Sequence, residues 1–434
     1  MTDVATTPAL APDHELPGRD LLLDPVAVAA RLPGLLGADG PLELDVCTLV
    51  RVKYRVGESL RAVYRLGIGG RDHLVTARLF PRGRDRTAYE RATASGPPAT
   101  GPLRAVVRDA DLGAVWWSFP RDRKLGDLGW LTAPDRALGQ DMGLPAWRRT
   151  DVVQYVPERS VTVRALDGRG ATLAYAKAYG PHVVRPSVVA GRHHRLAREL
   201  RRTPDPVSAP DCLAWSDARG LLLMEAMPGR HWNELAGDDL ERALHDLGVA
   251  VAHVHDSPPA YGLPAFDRLR PDRVEHSAGI VGRARPDVAE HAQHLARRLR
   301  EAPPLPVPDV VLHGDCHPGN ALLEGGSVAL VDLDQMGHGP AAADLGSLLA
   351  RLRYAATIGE IDAAEAAVLE VRFLGGYAER RPLPDLVSLA WHTAAALLAE
   401  RALRAVNRVN GAALARLDEL MVAADKALDR GVLR

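Results

Sequence analysis

Within the eight residues His313-Gly314-Asp315-Cys316-His317-Pro318-Gly319-Asn320 the chain gathers a carboxylate, two imidazoles, a thiol and an amide. Eleven residues further on comes Val331-Asp332-Leu333-Asp334. Asp315 could take a proton from a hydroxyl, or orient that hydroxyl for attack. Asn320 could offer a neutral oxygen to a metal ion, and Asp332 an anionic one. An Asp, an Asn five residues later and a further Asp after a strand are the parts that a phosphoryl-transfer loop needs. Two plainer readings compete. His313, Cys316 and His317 could ligate a structural metal, although a zinc site needs a fourth ligand and Cys47 and Cys212 lie far off in sequence. The segment could also be an ordinary polar loop, which leaves the coincidence with Asp332 unexplained.

Short apolar runs must position these groups. Val310-Val311-Leu312 reads as a buried strand leading into the loop, Ala321-Leu322-Leu323 as a second strand and Val328-Ala329-Leu330-Val331 as a third. Glu324-Gly325-Gly326-Ser327 is a turn signal between the last two, which would pair as a hairpin. That pairing brings Asn320 and Asp332 to one end of the hairpin, close enough to share a cation. Mg²⁺ is usually held by one or two carboxylates together with phosphates and water, so this pair leaves room for ATP phosphates.

A length of 434 residues predicts two or three domains. With 47% hydrophobic and 25% charged residues the chain can bury a sizeable core. A net charge of −1 provides no general basic field, so neither nucleic acid nor an acidic membrane surface is an expected partner. No apolar run approaches the ~20 residues of a spanning helix. Residues 1–17 are polar and acidic, without the basic start or apolar core of a secretory signal, and read as a disordered tail. Three scattered cysteines make no disulfide framework, which suits a reducing, cytoplasmic setting.

Of 54 Lys plus Arg, only Lys53, Lys124, Lys177 and Lys426 are lysine. Lys is a compact point charge suited to a single phosphate oxygen, so each stands out in an Arg-rich chain. Lys177 lies in the third strand of a meander: Val152 to Val156, the loop Pro157-Glu158-Arg159-Ser160, Val161 to Leu166, the turn Asp167-Gly168-Arg169-Gly170, then Ala171 to Tyr179. A kinase small lobe has this layout, with a loop over the phosphates and the Lys on strand three. The loop here is not Gly-rich; if it covers phosphates it does so with Ser160, Arg159 and backbone N–H groups.

A helix over 192–200 follows, and Glu199 is the only acidic residue between Lys177 and Pro204, hence the candidate to hold that lysine. An exposed Glu among Arg neighbours is the alternative. Gly220 to Arg230 reads as an apolar strand ending at Pro228-Gly229. It could link two lobes and offer its backbone to an adenine edge around Glu225 and Met227, or be a plain strand and turn. Glu241 to His255 has helical periodicity. Helices are expected at 343–353, 361–377, 386–409 and 411–428. Trp391, His392, Glu400, Arg401 and Arg404 share the third of these, on a polar substrate cleft or on a solvated face.

The first ~130 residues contain a second meander, Leu49 to Tyr54, Leu60 to Leu66 and His73 to Phe80. Aligning Tyr54 with Tyr155 aligns Ser59 with Ser160 and, after two extra hairpin residues, sets Arg78 opposite Lys177. This reads as a degenerate repeat of the small-lobe sheet acting as a cap. It would end at Trp116-Trp117-Ser118-Phe119-Pro120, with Thr132 to Leu144 as linker.

The motif His-Gly-Asp-x-His-Pro-Gly-Asn at 313–320, Val-Asp-Leu-Asp at 331–334 and Gly339-Pro340-Ala341-Ala342-Ala343-Asp344-Leu345 resemble the aminoglycoside phosphotransferase / choline kinase family. The resemblance runs more weakly from about 150 to 434. It implies an α+β, protein-kinase-like two-lobe fold, with a small antiparallel-sheet N-lobe and a mostly helical C-lobe, here with an additional N-terminal α/β cap. The corresponding division is a tail at 1–17, the cap at 18–131, the N-lobe at 132–228 and the C-lobe at 229–434. The resemblance implies Asp315 as catalytic base, Asn320 and Asp332 as Mg²⁺ ligands, Lys177 on ATP phosphates paired with Glu199, and structural roles for His313 and Asp344. Expected acceptor-site residues are His317, Asp334, Trp391 and Glu400. The expected activity is ATP- and Mg²⁺-dependent phosphorylation of a hydroxyl on a small polar acceptor: a sugar, aminosugar or aminoglycoside. The alternatives are a peptide Ser/Thr hydroxyl as acceptor, or a nucleotide-binding pseudokinase.

Overall fold

The computed structural model describes residues 10–93, 101–258 and 262–432. Two five-stranded antiparallel sheets come first. The first contains β1 (Val46–Arg55), β2 (Ser59–Ile68), β3 (Arg71–Leu79), β4 (Val106–Asp109) and β5 (Ala114–Ser118), in the order β1-β2-β3-β5-β4. The second contains β6 (Arg149–Val156), β7 (Ser160–Leu166), β8 (Thr172–Tyr179), β9 (Cys212–Ser216) and β10 (Leu221–Met224), in the order β6-β7-β8-β10-β9. Strand order is therefore the same in both. Each also carries a helix between its third and fourth strands, Asp85–Thr93 in one and Pro186–Leu200 in the other. The registers agree as well: Arg61 pairs with Arg78, and Thr162, the same distance from its strand start, pairs with Lys177. The likeness of the two meanders thus extends to the whole sheet-and-helix unit.

The first sheet does not stand apart as a lid. Both of its faces are covered at β5, where Trp116 and Trp117, which point to opposite faces, are both fully buried. Leu60, Tyr64 and Trp116 share one apolar cluster with Val281, Leu397 and Met421 of the C-terminal helices. On the other face Trp117 Nε1 donates to Tyr155 Oη of the second sheet at 2.9 Å. The expected tail is shorter than 1–17. Leu16 is buried, Tyr54 Oη and the Gly57 N–H donate to the Asp13 carboxylate at 2.7 and 2.9 Å, and Arg19 donates to Ala11 O at 2.7 Å. Residues 1–9 of that tail lie outside the described residues. The expected linker at 132–144 is likewise packed: Asp135 caps the helix Arg136–Asp141, and Leu138 and Met142 join the core under the second sheet.

The rest is helical around a small β region. β11 (Val310–Leu312) pairs antiparallel with β14 (Gly337–Gly339), and β12 (Ala321–Glu324) forms a hairpin with β13 (Ser327–Leu330). Helices Gly237–Asp256 and Ala363–Arg380 pack tightly because glycine sits at their crossing: a Cβ on Gly376 would lie 2.0 Å from His245 O. Among the described residues no helix is long and apolar enough to cross a membrane. This is an α+β two-lobe arrangement, with the first sheet laid across both lobes.

Candidate active site

The chain leaves β11 and turns at Gly314, whose φ is +79°. Only glycine fits there, since a Cβ would lie 1.9 Å from Gln335 O. Asp344, in the first turn of the helix Ala342–Thr357, accepts the N–H groups of His313 at 2.7 Å and Gly314 at 3.0 Å. His255 Nε2 lies 3.2 Å from the same carboxylate. Burial opposes the Asp344 charge, but His255 and these N–H bonds hold its pKa below the usual carboxylate value. His313 Nε2 reaches Val331 O at 3.0 Å, and Asn320 O accepts the Val331 N–H at 2.9 Å. The hairpin therefore does bring Asn320 and Val331-Asp332 to one end. Asn320 Nδ2 also donates to Asp315 O at 3.0 Å, tying that end to the loop.

Lys177 lies on the third strand of the second sheet, between β7 and β10. Its ammonium bridges Asp332 at 2.9 Å and Asp334 at 2.7 Å, and Tyr179 Oη donates to Asp334 at 2.7 Å. Burial alone would lower the Lys177 pKa; the two carboxylates outweigh it and raise the value. Glu199 is not the partner of Lys177: it pairs with Arg202 at 3.2 Å on the helix surface. The residue of that helix which reaches the cluster is Arg192, two turns nearer the N-terminus, which donates to Asp334 O. Asp334 thus belongs to the lysine cluster and not to an acceptor site.

Asn320 and Asp332 fit a hard divalent cation. Asp332 is partly exposed, and Lys177 is the only partner of its carboxylate among the described residues. The Asn320 amide nitrogen is spent on Asp315 O, which leaves its oxygen as the donor. One carboxylate and one amide oxygen, completed by phosphates and water, are a normal Mg²⁺ set. The expected phosphate loop is a tight turn with Glu158 at φ +62°; Arg159 is exposed at its tip, whereas Ser160 is buried opposite Tyr179. In the link after β10, the Glu225 N–H is given to Asp211 O at 3.0 Å and Glu225 Oε2 accepts from Asp211 N at 2.9 Å. Met227 lies two residues on, half-buried.

Asp315 opens on a cavity of about 220 Å³ that Glu400 also lines. Gln335 Nε2 donates to Asp315 Oδ2 at 2.9 Å, and Arg268 lies 3.6 Å from Oδ1. Burial penalises the Asp315 charge, yet the nearby guanidinium groups of Arg268 and Arg401 hold its pKa below the ordinary value. His317 is pushed down to about 3, chiefly by burial, and is neutral at pH 7. It lines a neighbouring cavity. Trp391 is no acceptor residue: it is buried, and its Nε1 donates to Leu299 O at 2.8 Å. The helix carrying it passes through a π turn, Leu397–Ala402, which re-phases its faces so that Glu400 and Arg401 reach the cleft while Trp391 and His392 point into the core.

Arg268, which contacts Gly314 O, Asp315, Gln335 and Glu400 together, carries no signal in so Arg-rich a sequence. Lys53 also lines the Asp315 cavity, and here a signal existed, as one of only four lysines.

Similar solved structures include amicoumacin kinase hAmiN, at 18% identity over 68% of this chain and 94% of that one, with a TM-score of 0.45. Aminoglycoside phosphotransferase APH(3'')-Id from Streptomyces rimosus is 21% identical over 64% of this chain and 98% of its own, with a TM-score of 0.40. Choline kinase from Cryptosporidium parvum is 12% identical over 66% and 91%, with a TM-score of 0.46. Comparison with curated protein sequences returns no match. Residues 76–383, most of the chain, match the phosphotransferase enzyme family (APH), and to that family the chain belongs.

Proposed function

We propose that this ATP-dependent phosphotransferase moves the γ-phosphoryl group of ATP to a hydroxyl of a small, sugar-sized polar molecule held beside Asp315. The observation that carries the reading is a division of labour around one loop. Asp315 opens on a cavity, while Lys177, Asp332 and Asp334, none of which lines it, form a separate charged cluster tied to the loop through Asn320 and Val331.

In this reading the acceptor O–H gives its proton to an Asp315 carboxylate oxygen as its own oxygen bonds to the γ-phosphorus. The bond from that phosphorus to the β,γ-bridging oxygen breaks, and ADP leaves with the electron pair. Lys177 exchanges a carboxylate for a phosphate oxygen when nucleotide binds, and Asp334 takes the holding role expected of Glu199. Asn320 and Asp332 would hold Mg²⁺, which supplies charge neutralisation on the phosphate oxygens. Catalysis is then mainly positioning, with Arg268 and Gln335 fixing the Asp315 carboxylate.

The cavity lining sets Asp315 and Glu400 against Lys53, Arg268, Arg401, Arg404 and Arg408. A polycationic aminoglycoside would meet net repulsion there, so a neutral or anionic acceptor suits it better. The stretch from Asp332 to Asp344 holds only the turn Leu333–Gln335 and β14, both of which brace the loop, and this leaves no activation segment of the kind a regulated protein kinase carries.

ADP release would be followed with ATP, Mg²⁺ and a panel of neutral, aminated and acidic sugars, for the wild type and Asp315→Asn. Loss of a general base should lower kcat by about 10²–10⁴-fold. An Asp315→Asn protein as active as the wild type on its best acceptor would overturn the assignment.

A further inference from the structure

The Asp315 cavity and its neighbour of about 280 Å³ are both lined by Arg401, Arg404 and Arg408. Spacings of three and four set these side by side on one helix face. β1 of the first sheet closes the space from the opposite side, and Arg408 donates to Val52 O at 3.1 Å. Alternation along β1 turns Arg51 and Lys53 to the same face, and Lys53 pairs across the ladder with Arg61.

Four of these cations, Arg51, Lys53, Arg404 and Arg408, lack counter-ions among the described residues. Arg61 is satisfied by Glu158. Arg51, Lys53 and Arg404 have no ion pair among the described residues, and Arg408 has only the Val52 carbonyl. Arg401 is 5% exposed and lines both cavities; it lies 3.5 Å from Glu400 and donates to Ser347 O at 3.4 Å, while its Nε has no hydrogen-bond partner among the described residues. Burial and the charges of Arg408, Arg55, Arg404 and Arg61 push the Lys53 pKa down to about 8. Burial and Arg51, Arg404 and Arg61 push Arg408 down to about 10. Holding like charges together in a half-buried cleft costs free energy unless an anion completes the site.

We propose that the acceptor already carries a phosphate group, seated among Lys53, Arg404 and Arg408, which aims its free hydroxyl at Asp315. This rests on the reading of Asp315 given above. Phosphate fits better than carboxylate because a monoester brings about −1.5 to −2 charge at pH 7 and three acceptor oxygens, against several unpaired cations. The ATP phosphates have their own lysine, Lys177, which lines neither cavity. The first sheet then has a definite task, since it supplies Lys53 and so selects the acceptor.

The full-length protein would be titrated with inorganic phosphate at constant ionic strength, with an excess of a non-hydrolysable ATP analogue filling the nucleotide site. The wild type is expected to gain several degrees in Tm. Lys53→Met and Arg404→Gln should fold, since each removes an unpaired charge, and should lose most of that gain. No gain in the wild type, or an equal gain in all three proteins, overturns the proposal. Turnover of glucose, glucose 6-phosphate, glucuronate and glucosamine gives a second reading. Glucose 6-phosphate should lead by at least tenfold in kcat/KM, and Lys53→Met should remove that lead through the acceptor KM while the KM for ATP stays unchanged. A lead for glucuronate overturns the choice of phosphate, and a lead for glucose or glucosamine overturns the anion site. Asp315→Asn separates the two readings: turnover that survives in it sinks the catalytic assignment, whereas the phosphate-induced shift in Tm tests the anion site alone.

Discussion

At Lys177 one ammonium answers two carboxylates, Asp332 and Asp334, brought from more than 150 residues away in sequence. On the proposed role, replacing it by alanine removes one charged hydrogen bond to an ATP phosphate oxygen, worth about 1.5–3 kcal/mol. Lys177→Ala should therefore lower kcat/KM for ATP by roughly ten- to 150-fold, measured by steady-state kinetics at saturating acceptor. Asp315 makes a different prediction. Its pKa is held below the ordinary carboxylate value and His317 is pushed down to about 3, so neither group changes charge between pH 5 and 8. The base form of Asp315 is present throughout that range and is lost only as the pH falls through its lowered pKa. The pH profile of kcat should be flat from pH 5 to 8 and should decline only in more acidic solution; a midpoint near 6.5 would contradict it. Lysine scarcity made Lys177 legible in the sequence. Its partners were not, because elimination over the nearby chain offered only Glu199, whereas the fold supplies carboxylates from a distant turn and leaves Glu199 to Arg202.

Among the elements, the turn between β6 and β7 shows what the first sheet does for the second. Glu158 sits at φ +62°, where the matching turn of the first sheet has Gly57 at φ +73°. Its N–H donates to Asp122 at 2.8 Å, and its buried carboxylate pairs with Arg61, Arg78 and Arg123. Burial opposes that charge, yet the three arginines hold the Glu158 pKa below the usual value. Ion pairs thus fix a left-handed conformation that glycine would adopt freely. Arg78, at the register position of Lys177, spends its charge on this brace and not on a nucleotide. Glu158→Ala would strand three cations, and losing one partner of a buried ion pair costs about 3–5 kcal/mol. Urea denaturation should show a loss of that size. A loss below about 1 kcal/mol would mean that the pairs are screened as surface pairs are. The two meanders, the hairpin and the C-terminal helices were legible from alternation, Gly turns and Ala/Leu periodicity. β9 and the helices Pro271–Ala284 and Ala289–Glu301 were not among the elements expected: β9 is a short, half-exposed strand, whereas Ala289–Glu301 does carry a helical period in Ala292, Leu295, Ala296 and Leu299.

For the whole molecule, a net charge of −1 conceals a strongly uneven distribution. Cations of the first sheet and the C-terminal helices meet across the Asp315 cavity, where Lys53 faces Arg61 on β2, Arg55 on its own strand, and Arg404 and Arg408 on the helix, with Asp315 and Glu400 in the same lining. Composition could not reveal this, because it depends on how two units pack. It does have a thermodynamic signature. The Lys53 pKa is about 8 in the folded protein against an ordinary value of 10.5. Between those values the unfolded chain binds the proton and the folded one does not, so this residue makes stability rise with pH across the window; below pH 8 the cost of its charge is fully present. Lys53→Met should therefore be more stable than the wild type at pH 7, by a margin that shrinks as the pH rises toward 10. Taking the difference between the two proteins cancels the buried tyrosines, which titrate in the alkaline range in both. Inorganic phosphate at pH 7 should narrow the same margin, because an anion in the cleft converts the cost of the Lys53 charge into an attraction. Urea midpoints at pH 7 and 9.5, with and without phosphate, would measure it. A margin independent of both pH and phosphate would show that the Lys53 ammonium is solvated and that the two units do not enclose a charged cleft.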